Sequence, residues 1–166
     1  QEMASPEIFA VAGRYMDVIS INHYRLWEPD AAWMANWEKW SGKPFIITEF
    51  YTKGEDSGLP NNTGAGWNVR TQADRGWFYQ NFVTELLRSG NCVGWHWFTY
   101  MDNDPQNLKT DPSNRDSNKG VVAWNFEPYT VLLDEMKQLN DCTYRLIRHL
   151  DAEKSGANRK TTDNHE

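Results

Sequence analysis

Three short apolar runs, separated by longer stretches of helical periodicity, leave this chain few folds to choose from. Residues 15–24 (YMDVISINHY), 44–51 (PFIITEFY) and 92–100 (CVGWHWFTY) are rich in β-branched and aromatic residues and read as strands. Ser5, Pro6 and Glu7 open a short first helix that ends near Gly13. Asp30 caps a second, with Trp33, Met34, Trp37 and Trp40 as its apolar face and Gly42 as its stop. Thr71 with Asp74 makes a capping box for a third, which carries Phe78, Phe82, Val83, Leu86 and Leu87 and stops at Gly90. A fourth runs from Pro128 to about Leu150, with Leu132, Met136, Leu139, Leu146 and Ile147 at helical spacing. Strands that alternate with helices are parallel and joined by crossovers, so the class is α/β. A doubly wound sheet and a TIM barrel both fit. No glycine-rich phosphate fingerprint follows any strand, which weakens the nucleotide-binding form of the first.

Composition removes several partners. The net charge of −6 leaves no basic stripe to neutralise phosphates, so neither nucleic acid nor an anionic membrane surface is expected. No apolar run approaches the ~20 residues that span a bilayer. Cys92 and Cys142 are too few for a disulfide scaffold and lack metal-ligand spacing. They are either a pair at the foot of the third strand or two unrelated thiols. Neither a cofactor nor a metal is expected. The Asp/Asn-rich run 102–118 has oxygen ligands suited to Ca²⁺ but lacks EF-hand spacing. Residues 1–150 form one partial domain, and 151–166, almost without apolar residues, read as a disordered tail. Nine Trp, seven Tyr and seven Phe make 14% of the chain aromatic, either as core or as a groove for flat hydroxylated ligands.

Glu49 is the residue to weigh first. It is an ionisable group at the end of the apolar run Phe45-Ile46-Ile47-Thr48-Glu49. Acidic groups are rarely buried without a partner or a purpose. In a barrel, a carboxylate at a strand's C-terminal end reads as catalytic; a carboxylate paired at the sheet rim is the alternative. The first strand ends in Asn22, His23 and Tyr24. The third carries His96, Trp97 and Phe98 and leads to Asp102 and Asn103. Carboxylate, hydrogen-bonding groups and stacking rings are what cleavage of a glycoside needs. Trp67, in the long polar loop 53–70, either stacks on a sugar at the rim or pins the loop down.

The ordered set Asp17-Val18-Ile19-Ser20-Ile21-Asn22-His23-Tyr24, Ile46-Ile47-Thr48-Glu49-Phe50-Tyr51, Val93-Gly94-Trp95-His96-Trp97-Phe98 and Asp102-Asn103 resembles strands six to eight of the clan A glycoside hydrolases. The two long loops are closest in wording to β-agarase-like members. This resemblance implies the C-terminal part of a TIM (β/α)8 barrel, with three parallel strands and crossover helices. It further implies a retaining hydrolase of a β-linked, galactose-containing polysaccharide, from a secreted or periplasmic parent, with Glu49 as nucleophile and Tyr24 as its hydrogen-bond donor. Asn22, His23, Trp67, His96, Asp102 and Asn103 are the further substrate contacts it suggests. The ring beneath the sugar is Trp97 or Phe98; only one can face inward, and an indole is the commoner platform.

One departure from the pattern is severe. The clan takes its acid/base from an Asn-Glu pair on strand four, and no Asn-Glu dipeptide occurs here. The partners expected are therefore a polysaccharide or oligosaccharide substrate and the remaining N-terminal barrel half. Open sheet edges would favour self-association. Competing readings are an inactive half-barrel, a carbohydrate-binding unit, and an exo-acting enzyme like the β-galactosidases and β-glucuronidases.

Overall fold

The computed structural model describes residues 5–107 and 109–162. Its elements are α1 (Pro6–Tyr15), β1 (Ile19–Asn22), α2 (Ala31–Ser41), β2 (Phe45–Phe50), β3 (Thr52–Gly54), β4 (Trp67–Val69), α3 (Gln72–Ser89), β5 (Cys92–Trp97) and α4 (Thr130–Thr162). β1, β2 and β5 form one parallel sheet in that order.

All four helices lie on one face of the sheet. Phe9 of α1, Met34 and Trp37 of α2, Phe78, Phe82 and Leu86 of α3, and Leu132 and Met136 of α4 share a single core with Phe45, Ile47 and Phe50. Trp37, Phe45, Ile47, Phe50, Phe82, Leu86 and Leu132 are fully buried, and each such side chain contributes about 1.5–3 kcal/mol. On the opposite face Ser20, Asn22 and His96 are exposed. A doubly wound sheet covers both faces. Sequential neighbours with helices on one face make a segment of a (β/α) barrel, seen with its interior open.

Local signals place the helices. Asp30 accepts a hydrogen bond from Trp33 N at 2.8 Å, and Gly42 ends α2 at φ 65°. The Thr71–Asp74 capping box starts α3, and Gly90 ends it at φ 82°.

Three expectations need correction. α1 continues to Tyr15, so the first strand starts at Ile19 rather than residue 15. The loop after β2 is not irregular throughout: β3 and β4 pair in parallel within it. The tail expected to be disordered from Asp151 is helical through Thr162; residues 163–166 lie outside the described residues. Ala152, Glu153 and Lys154 continue the helix as good helix formers, and His149 and Glu153 pair at i,i+4 while Arg88 of α3 reaches Glu153. Cys92 and Cys142 are free thiols.

Both sheet edges are open. Ile8, Met16, Val18 and Ile21 line a groove of about 580 Å³ between α1 and β1. Cys92, Val93, Trp95, Met136 and Tyr144 line another of about 540 Å³ between β5 and α4. Val93 is 61% exposed and Tyr144 78%. No helix among the described residues is long and apolar enough to cross a membrane.

Candidate active site

A register irregularity aims Glu49. Ile21 pairs with Ile47, but the next residue of β1, Asn22, pairs with Glu49, so β2 holds one extra residue. Toward β5 the same happens between Ile47 and Phe50, opposite Trp95 and Trp97. Phe45, Ile47 and Phe50 are buried against the helices, while Thr48 and Glu49, successive in sequence, are left half-buried. An inserted residue re-aims a side chain in this way beside active sites.

Tyr24 Oη donates a hydrogen bond to Glu49 Oε2 at 2.8 Å. Burial and this bond to a carboxylate push the phenol's pKa up, so Tyr24 remains a donor at any working pH. Thr48 Oγ1 donates to Asn22 Oδ1 at 2.8 Å, and the Ser20 and Thr48 hydroxyls lie 2.9 Å apart. Asn22 is exposed beside Glu49 with its amide group oriented by this chain of hydroxyls.

Rings border the carboxylate. Tyr24 meets Tyr51 edge-on at 5.7 Å between ring centroids, and Tyr51 meets Phe98 at 5.6 Å. Tyr51 Oη donates to Asn114 Oδ1. Gly64 sits against Tyr51 at φ 90°, where an added Cβ would lie 2.3 Å from the phenol oxygen. His96 is exposed, and strand alternation groups it with Phe98. Trp67, on β4, is 49% exposed.

Several expected contacts lie elsewhere. His23 is 1% exposed and packs edge-on against Trp37 and Phe82 in the core, because it occupies the opposite face of the strand from Asn22 and Tyr24. Neither ring nitrogen has a hydrogen-bond partner, and burial lowers its pKa to about 4. Trp97 is not the inward ring: it packs on Phe50 at 5.5 Å and donates to Lys119 O at 2.8 Å, on the helix side. That leaves Phe98 facing the Glu49 side.

Asp102 is buried and organises a loop instead of meeting solvent. Its carboxylate accepts from Lys119 N, Gly120 N, Asn118 Nδ2 and Tyr129 Oη at 2.6–2.9 Å. Asn103 Nδ2 donates to Asn114 O at 3.2 Å and Thr110 O at 3.4 Å, again within the loop. The other acids of this loop are also engaged: Asp111 with Lys119, and Asp116 with the backbone amides of Asn62 and Thr63. Among the described residues no three His, Cys, Asp or Glu side chains cluster as a metal site would require.

Arg75, Tyr51, Asp111 and Lys119 lie around the Glu49 side and were not among the residues expected there. Arg75 is fully buried beneath the site. It donates to Thr52 O, Gln72 Oε1 and Gly120 O at 2.7–2.9 Å and lies over the Trp97 and Tyr129 rings. Burial lowers its pKa to about 10, against the pull of Asp102. Tyr51 carried a signal, since it follows Glu49 by two residues.

An open parallel α/β segment with a Tyr-bound carboxylate at a strand end has the architecture of part of a (β/α) barrel with its C-terminal strand ends exposed. The chain is 33% identical over 144 residues to β-agarase B of Vibrio sp. (strain JT0107), a match covering 86% of this chain and 14% of that protein. It is 29% identical to β-agarase A of the same strain, over 82% of this chain. Among solved structures, BpGH50 matches with a TM-score of 0.81 and 43% identity over 90% of the chain, and an exo-β-agarase with 0.73 and 30% over 85%. A β-D-glucuronidase of Dictyoglomus thermophilum, at 21% identity and TM-score 0.53, shares the fold. No protein-family model matches. The chain spans 14% of the length of these curated relatives and 30% of BpGH50.

Proposed function

We propose that this chain supplies the nucleophile side of a retaining, agarase-like glycoside hydrolase acting on a β-linked, galactose-containing polysaccharide. The observation that carries the reading is the Tyr24–Glu49 hydrogen bond at the C-terminal ends of two adjacent parallel strands. Glu49 attacks the anomeric carbon as the aglycone oxygen leaves with a proton, forming a glycosyl ester that water then hydrolyses. A retaining pair stands about 5–5.5 Å apart, and the acid/base comes from the rest of the barrel. Tyr24 holds the carboxylate in line, lets go as the ester forms and takes the bond up again as the ester breaks. Asn22 and His96 meet sugar hydroxyls, Phe98 supports the ring, and Trp67 stacks on the chain at the rim.

The grooves beside β1 and β5 support completion by further strands of the same barrel. The isolated chain, holding one of two carboxyl groups, is expected to hydrolyse no agarose. The test uses the enzyme carrying this chain: Glu49→Ala is expected to lower kcat by ~10³-fold or more. Azide then restores turnover with an α-glycosyl azide as product. An active Glu49→Ala enzyme would end the assignment.

A further inference from the structure

We propose that Asp111, held by Lys119, is a specificity-determining residue of the Glu49 site, its carboxylate accepting hydrogen bonds from hydroxyls of the bound sugar. This rests on the glycosidase reading above.

The two residues continue the arc of rings around Glu49. Lys119 Nζ stands 5.4 Å from the centroid of Phe98 and 2.6 Å from Asp111 Oδ2. The two side chains differ in access: Lys119 is 4% exposed and Asp111 31%. A buried ammonium is costly unless paired. Here it braces the inward-facing ring from behind and turns the carboxylate outward. The turn that carries Asp111 is tied to the rings beside Glu49: Asn114 N donates to Asp111 O at 3.0 Å, and Tyr51 Oη donates to Asn114 Oδ1.

Asp111 also keeps capacity to bind. Oδ2 accepts a hydrogen bond from Lys119 Nζ at 2.6 Å and Oδ1 accepts one from Ser113 Oγ at 2.7 Å. The Asn114 amide bonds to the Asp111 carboxylate as well, and of a carboxylate's roughly four acceptor positions one remains. Its backbone is in the left-handed region at φ 40°, and strain of this kind is stored where a side chain must be held in place.

The acid/base role does not suit it. Although burial opposes ionisation, the hydrogen bonds from Lys119 and Ser113 bring its pKa below the ordinary carboxylate value. A group held as a carboxylate has no proton to give a leaving oxygen, but is a strong acceptor from hydroxyls.

The enzyme carrying this chain is assayed on agarose-derived oligosaccharides and synthetic mono-deoxy counterparts, as wild type, Asp111→Asn, Lys119→Met and Lys119→Arg. Asp111→Asn is expected to raise KM about 10- to 100-fold, the scale of a lost bond to a charged group, with kcat and its pH profile nearly unchanged. One deoxy substrate should be poor for wild type and no poorer for Asp111→Asn. Lys119→Met should follow Asp111→Asn, and Lys119→Arg should recover most of the affinity. Unchanged KM in a folded Asp111→Asn enzyme, or equal losses on every deoxy substrate, overturns the inference and leaves the Glu49 assignment intact. A wild type that cleaves no galactan overturns both.

Discussion

The Tyr24 hydroxyl sits 2.8 Å from Glu49 Oε2, joining neighbouring parallel strands at their C-terminal ends. In the proposed mechanism the bond is strongest while Glu49 is a free carboxylate, before attack and after the ester breaks. Tyr24→Phe should lower kcat by about 10- to 100-fold, the effect of losing a hydrogen bond to a charged group, while KM moves little. Steady-state kinetics of the enzyme carrying this chain checks it; a raised KM with kcat unchanged would assign Tyr24 to ground-state binding.

His23 makes folding sensitive to acid. Its pKa in the fold is about 4, lowered by burial from the ordinary 6.5. Between those values the unfolded chain binds a proton that the folded chain does not. The stabilisation is therefore full above pH 6.5 and is lost as the pH falls to about 4, by up to about 3 kcal/mol in total. Urea unfolding between pH 7.5 and 4 should show this slope. His23→Leu should flatten it without loss of stability at neutral pH, since two unpartnered nitrogens go with the ring.

Arg75 ties the start of β3 to the 102–120 loop through Thr52 O and Gly120 O. Arg75→Met removes a buried cation facing Asp102, and a cost of about 3–5 kcal/mol is expected. Chemical denaturation checks it. A loss under ~1 kcal/mol, the value of a surface pair, would contradict the bracing role.

The uncovered edges of β1 and β5 should make the isolated chain self-associate, as exposed strand edges do. Sedimentation velocity is expected to show species larger than a monomer. Val93→Lys, on the exposed β5 edge, should shift the distribution toward monomer. A monodisperse wild-type monomer at high concentration would count against the half-barrel reading.

Much of this was legible from sequence where local chemistry decides it. The cap at Asp30, the Thr71–Asp74 box and the glycines at 42 and 90 act within a few residues, and they set α2 and α3 as expected. His23 was expected beside Asn22 and Tyr24 as a substrate contact; strand alternation puts it on the opposite face, and it is buried in the core. The extra residue in β2 was not legible, because a register shift is a property of two strands. Counting by twos from Phe45 puts Glu49 among the buried side chains, whereas the shift turns it beside Thr48. The choice between Trp97 and Phe98 depended on what packs behind the sheet. Phe50, Phe78 and Tyr79 already form the pocket that accepts the indole. The Lys119–Asp111 pair and the Arg75 contacts join residues far apart in sequence, so no spacing announces them.

The assignment of Glu49 as nucleophile is tested most directly by trapping the glycosyl ester. The enzyme carrying this chain is inactivated with a 2-deoxy-2-fluoro galactoside bearing a good leaving group, and its peptides are read by mass spectrometry. The account predicts one sugar adduct, on the peptide containing Glu49, and none in Glu49→Gln. An adduct on another carboxylate of the enzyme, with Glu49 unmodified, would contradict it.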